Sequence, residues 1–434
     1  MRNRWIRRPL VAVALAGAMV GVSGVAVAGN QEHTQVVVER AADFTPHIAS
    51  SGRRPHAFAV AQMGDTVYVG GRFDIVQNAN RTVDYSRNNI VAFDAETGAI
   101  RSFAPNIDGD VWALEATPDG LYVGGRFKNV DGVRRPAIAK LDLVTGAMDT
   151  TFDPAFKAGR VSEIKMVDGK LFIGGSFPRR LDALNPLNGR PVRYQGERYM
   201  DVSVQGSLEF STDKIEVFKF SINSAGTRLV GVGNFQTING ADRKRAFMLN
   251  LGDSDVTLSD WYYPPLDKRC RTTSGNRIAY LQDVDFAPDG SYFVFVSTGF
   301  VPQTTAEIGE ALCDAATRFE TDILAPVRPT WINYTGGDTL HGVEVTGAAI
   351  YVSGHSRWLD NPFGVDSAGP GAVVRPGGGS IDPVTGKAND WDPVQRHRTG
   401  GYNFLATDAG LWHVSDGQRF AGRYHRGIVF TPLP

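Results

Sequence analysis

Short apolar runs recur along the chain, each closing on glycine and an aromatic residue. Two copies are nearly identical, Tyr68-Val69-Gly70-Gly71-Arg72-Phe73 and Tyr122-Val123-Gly124-Gly125-Arg126-Phe127. Weaker copies follow at Phe172-Ile173-Gly174-Gly175-Ser176-Phe177, Val230-Gly231-Val232-Gly233-Asn234-Phe235 and Phe295-Val296-Ser297-Thr298-Gly299-Phe300. Two degenerate copies begin at Tyr351 and Trp412. The spacing of about 50 to 65 residues is that of propeller blades.

Each motif is preceded by an alternating segment and a tight turn, as in Trp112-Ala113-Leu114-Glu115-Ala116 before Pro118-Asp119-Gly120. That pattern predicts a β-hairpin, because period-two burial followed by turn residues suits paired strands. A second hairpin follows, with Ile90 to Asp94 turning at Thr97-Gly98, Ala137 to Asp142 at Thr145-Gly146, and Ser380-Ile381-Asp382 at Thr385-Gly386. The expected fold class is therefore all-β, a seven-bladed β-propeller of four-stranded antiparallel blades. Val36-Val37-Val38 reads as the missing outer strand of the last blade, so the N-terminal strand is expected to join the segment from Gly427 and close the ring.

The second unit, with Gly124-Gly125-Arg126-Phe127, Asp131-Gly132, Arg135, Ala137 to Asp142, Thr145-Gly146 and Phe152-Asp153-Pro154 in order, resembles the bacterial delta-60-repeat β-propeller family. The resemblance spans about residues 36 to 434 and fades over the last three units. It implies an extracellular propeller and assigns no activity.

Composition narrows the reading. Among 434 residues, 49 Gly and 23 Pro fit a turn-rich all-β chain, and 45 Lys+Arg against 46 Asp+Glu leave a net charge of −1. No global field draws it to nucleic acid. Arg2, Arg4, Arg7 and Arg8, then the apolar run from Leu10 to Val27 and Ala26-Val27-Ala28, read as a signal peptide over residues 1–28. Residues 29–434 are expected to form one domain, secreted or at the cell surface, monomeric and not inserted in a membrane. Cys270 and Cys313, the two cysteines, would then pair as a disulfide pinning an insertion at about 301–327 of the fifth blade.

What recurs in every unit reads as architecture, so the arginines before the third strands (Arg87, Arg135, Arg180, Arg245, Arg426) are expected to hold loops. Asymmetry is more informative. All eight histidines, His33, His47, His56, His341, His355, His397, His413 and His425, fall near the two ends of the chain, which a closed ring makes neighbours. No metal-ligand spacing accompanies them, and neither a metal nor a cofactor is implied. The loop of the sixth blade offers His355, Arg357, Trp358, Asp360 and Phe363, and that of the seventh Arg419, Tyr424 and His425, as aromatic and polar ligand contacts. Glu115, Glu163, Asp283 and Glu344 on the innermost strands are candidates to line the channel. The reading is a binding or scaffold module for an extracellular protein, peptide or cell-wall glycan; the alternative is a hydrolase or lyase on carbohydrate or peptide at the channel mouth. No linear catalytic motif supports that alternative, and the catalytic residues it would use are unknown.

Overall fold

A computed structural model describes residues 31–208, 214–272, 275–302, 304–393 and 400–434. The proposed signal peptide and His397 lie outside them. The described strands form fourteen small antiparallel sheets, and seven of these, each a meander of three or four strands in sequence order, follow one another along the chain. Their inner strands are His56–Met63, Asp110–Thr117, Val161–Val167, Glu216–Ile222, Leu281–Phe286, Leu340–Val345 and Gly401–Thr407. Each packs beside the next, and the seventh packs beside the first.

The sheets bury their faces against each other, so the core lies between neighbours. Ala59, Tyr68 and Ile90 of the first sheet pack with Val111, Leu114 and Val123 of the second. Leu405, Trp412 and Phe430 of the seventh pack with Val60, Val67 and Phe93 of the first. Polar ties repeat the pattern: Tyr68 donates its hydroxyl to Leu143 O at 2.8 Å and Tyr122 to Pro186 O at 2.9 Å, each reaching the next sheet's turn. Trp412 donates its indole N–H to Gln62 Oε1 at 3.0 Å, from the seventh sheet to the first.

The Gly-Gly of the repeat has two separate causes. A Cβ on Gly70 or Gly124 would strike Val111 or Val161 of the following sheet. A Cβ on Gly71, Gly125, Gly175, Gly233 or Gly354 would strike a carbonyl of its own sheet's inner strand, where the register slips by one residue. The same slip is present in all seven inner strands.

Three expectations are corrected. Among the described residues only the fourth and fifth sheets have a continuous fourth strand, Val256–Leu258 and Trp331–Tyr334. In four others the outer segment makes a single bridge, such as Phe93 with Ile100 or Leu141 with Met148, before the chain turns off toward Pro105 or Pro154. Residues 36–38 form no ladder strand. The Val37 N–H is taken by the Tyr351 hydroxyl at 2.9 Å, while Val38 N donates to Pro432 O at 2.9 Å and Ala42 N to Phe430 O at 2.8 Å, so the segment is stitched to the last strand at two points. The insertion is shorter than residues 301–327, because Ala315–Glu320 is the third strand of the fifth sheet.

Cys270 and Cys313 form the expected disulfide, with Cα atoms 5.8 Å apart. It ties the hairpin of Arg269–Thr272 and Gly275–Ile278 to the insertion. Tyr263 and Tyr334 donate their hydroxyls to Glu310 O and Ala311 O, fixing the insertion at the rim of the fifth sheet. No helix among the described residues is long and apolar enough to cross a membrane.

Candidate binding site

An inner strand should alternate, with every second side chain between sheets. The register slip breaks that alternation once per sheet, since a bulge adds a residue that the partner strand does not match. The extra residues are Phe58, Trp112, Ser162, Phe218, Gln282, His341 and Tyr402. All seven line one cavity of about 310 Å³ at the channel mouth, joined by Arg160, Lys219 and Tyr280. The site is thus a cup built from one backbone irregularity repeated around a ring.

Its wall is aromatic. Phe58 and Trp112 stack with centroids 4.1 Å apart, Tyr402 meets Phe58 edge-on at 5.1 Å, and His341 stacks on Tyr402 at 5.5 Å. Cations cover the rings: the Arg160 guanidinium, itself part of the lining, lies 4.8 Å from the Trp112 centroid and is held by Glu216 at 2.7 and 2.8 Å. Arg72 lies 5.6 Å from Phe58 and is bound in a fork by Asp110. Burial pushes the His341 imidazole down to about 4 and the Tyr402 hydroxyl up to about 12, so both are neutral near pH 7. The Trp112 indole N–H and His341 Nε2 are buried without a hydrogen-bond partner among the described residues. A cup with an aromatic wall and polar edges suits a ring-shaped polar ligand.

Below the cup the channel narrows to a cavity of about 40 Å³ lined by Glu115, Glu163, Lys165, Lys219, Asp283, Asp285 and Glu344. That space holds a few waters at most. Each carboxylate has a structural task. Glu115 accepts from Met166 N at 2.9 Å, Asp283 from Val343 N at 3.1 Å, Asp285 from Val345 N at 2.8 Å and Glu344 from Ala406 N at 2.9 Å, every bond crossing to the next sheet. Lys219 donates to Glu163 at 2.6 Å. Burial raises Glu115 and Asp283 to about 7. Among the described residues no three His, Cys, Asp or Glu side chains gather as metal ligands.

The loop candidates lie on the same face as the cup, because each follows the end of a middle strand paired with the start of an inner one. His355 comes closest, with its ring 4.9 Å from His341. Arg357 is bound to Asp338 at 2.8 and 2.9 Å and lies 4.4 Å over Trp358, which is half-buried. Asp360 accepts from Asn333 Nδ2 at 2.6 Å. Phe363 stands exposed at 58%. In the seventh loop Arg419 is exposed, Tyr424 packs on His47 and under Arg81, and His425 is buried beside Thr45 at 3.2 Å. None of these eight residues lines the cup. Four of the five repeated arginines hold loops as expected, among them Arg87 on Arg101 O at 2.9 Å and Arg135 on Phe152 O at 2.5 Å, with Arg180 and Arg245 likewise on carbonyls.

The bulged residues escaped the sequence reading. Each follows the residue paired with the second glycine position of its unit, a relation that appears only once the two strands are paired.

The class these features define is the β-propeller. A family profile described as a "Domain of unknown function (DUF5122) beta-propeller" matches residues 117–152, within the second unit. No curated protein matches the chain. Among solved structures, the computationally designed Ika8 protein is similar with a TM-score of 0.45 and 11% identity, covering 90% of this chain and 100% of its own. Hydrazine synthase of Kuenenia stuttgartiensis gives 0.45 and 15%, covering 86% and 98%. The WD40 beta propeller domain of Doa1 gives 0.44 and 9%, covering 89% and 96%.

Proposed function

We propose that this protein is a seven-bladed propeller of the delta-60-repeat type, exported from the cell, that acts as an extracellular binding module and takes a saccharide ring in the aromatic cup. The observation that carries the reading is the convergence of seven non-ladder side chains on one cavity. A fold that repeats its structural residues keeps its recognition residues where the units differ. The half-buried ring of Phe218 and the accessible parts of Trp112 and Tyr402 supply apolar contact, and the Gln282 amide and the Tyr402 hydroxyl supply partners for ligand hydroxyls. The Cys270–Cys313 disulfide is consistent with an oxidising compartment.

The outer loops, with His355, Arg357, Trp358, Asp360 and Phe363 beside Arg419, Tyr424 and His425, offer a rim for an extracellular protein or peptide. A hydrolase or lyase would need carboxylates open to substrate. Those in the channel are bound to strand N–H groups or, for Glu163, to Lys219, in a space fit for water, which favours binding over catalysis.

A glycan and peptide array on the protein, repeated with Trp112→Ala and Trp358→Ala, tests the assignment. Glycan binding should fall at least tenfold in Trp112→Ala and stay within twofold in Trp358→Ala. Glycan binding indifferent to Trp112 would remove the cup.

A further inference from the structure

Beside the cup, on the same face, a groove of about 950 Å³ runs across the second, third and fourth sheets. Among the described residues its lining holds six cations, Arg126, Lys128, Arg134, Lys157, Arg160 and Lys214, and one carboxylate, Glu216. Glu216 is already committed to Arg160. The other five cations have no carboxylate within ion-pairing distance among the described residues, in a chain whose net charge is only −1. Elsewhere guanidinium groups are paired with carboxylates, as Arg72, Arg101, Arg198, Arg318 and Arg357 are. An unneutralised concave cluster focuses potential on a polyanion.

Groove and cup are continuous, since Arg160 and Phe218 line both. The aromatic surface is gathered in the cup: Phe127 of the groove is buried at 4%, so no row of stacking platforms accompanies the cations. Single-stranded nucleic acid is held by such a row, one ring per base. A saccharide chain needs only one seated ring, with its charged neighbours paired along the groove.

We infer that the groove binds an acidic polysaccharide, with one sugar ring seated in the cup and the carboxylates of the following residues meeting Arg126, Lys128, Arg134, Lys157 and Lys214. This rests on the cup being a saccharide site and adds the class of saccharide.

Calorimetric titration of the full chain with a galacturonic acid hexamer, a neutral glucose hexamer, a dT12 oligonucleotide and a polyglutamate peptide tests it. The acidic hexamer should bind at least tenfold more tightly than the neutral one at 50 mM salt and lose at least tenfold at 500 mM salt. Arg126→Glu with Lys157→Glu should abolish that advantage, leave neutral-hexamer binding unchanged and leave the melting temperature within about 2 °C, both residues being exposed. Equal binding of the two hexamers, or an acidic advantage that neither salt nor the double variant moves, overturns the groove while the cup stands. Tighter binding of dT12 or polyglutamate than of the acidic hexamer overturns the ligand class. Failure of both hexamers overturns cup and groove together.

Discussion

At the scale of single residues, side chains with the chemistry of recognition divide into those the fold has used and those it has left open. Arg357 is used: its fork on Asp338, its contact with Asp366 and its position over Trp358 hold the long loop of the sixth sheet. Removing the side chain leaves the nearly buried Asp338 carboxylate with the Arg357 backbone N–H but no guanidinium. Arg357→Ala should therefore cost about 1–3 kcal/mol in urea denaturation and leave cup binding intact; an unmoved midpoint would show the fork to be idle. Asp360 and Asn361 are spent in the same loop, Asn361 bonding Thr335 O, Ser367 O and Gly369 N. Trp112 is different, because its indole N–H has no partner among the described residues.

At the scale of elements, the turn chemistry was legible in the sequence. Asp94, Asp142 and Asp382 each accept from the Thr three residues on, through both backbone and hydroxyl, and the following glycine N–H bonds back to the aspartate carbonyl. A local bond of this kind is written in four consecutive letters, so the hairpins could be read directly. The bulge was not legible, because it depends on a strand meeting a glycine some thirteen residues away. Gly125→Ala tests the link: a methyl there would meet Asp110 O, open the bulge at Trp112, cost about 2 kcal/mol or more and weaken glycan binding in parallel. Gly132→Ala is the control. With φ of +77° and nothing within 4 Å, it should cost about 1 kcal/mol and keep full binding. Loss of stability without loss of binding in Gly125→Ala would separate the glycine from the cup.

At the scale of the whole molecule, the ring places charge where a single sheet would not. The basic groove draws cations from three units, and the channel gathers carboxylates from four inner strands; neither grouping exists in sequence order. The channel makes stability depend on pH. Burial raises Glu115 and Asp283 to about 7 and Asp314 to about 8, so the folded state holds protons that the unfolded chain has released. Groups raised in this way stabilise the fold less as pH climbs through the folded values. Burial also lowers His47 and His341 to about 4 and His413 to about 3, which opposes that trend between about pH 4 and 6.5, where the unfolded histidines are charged. Above 6.5 only the carboxyls remain. The melting temperature should fall between pH 6.5 and 8.5, and Glu115→Gln should flatten the decline; a curve rising over that interval would contradict the channel's protonation.

One residue in each inner strand stands outside the ladder, and its identity is free of the pairing that fixes its neighbours. Replacing Phe58, Gln282 or Tyr402 changes what the mouth of the ring can hold without asking any strand to shift. Descendants of such a gene can therefore diverge in ligand while keeping one backbone, with Phe58, Trp112, His341 and Tyr402, which pack on one another, changing in concert.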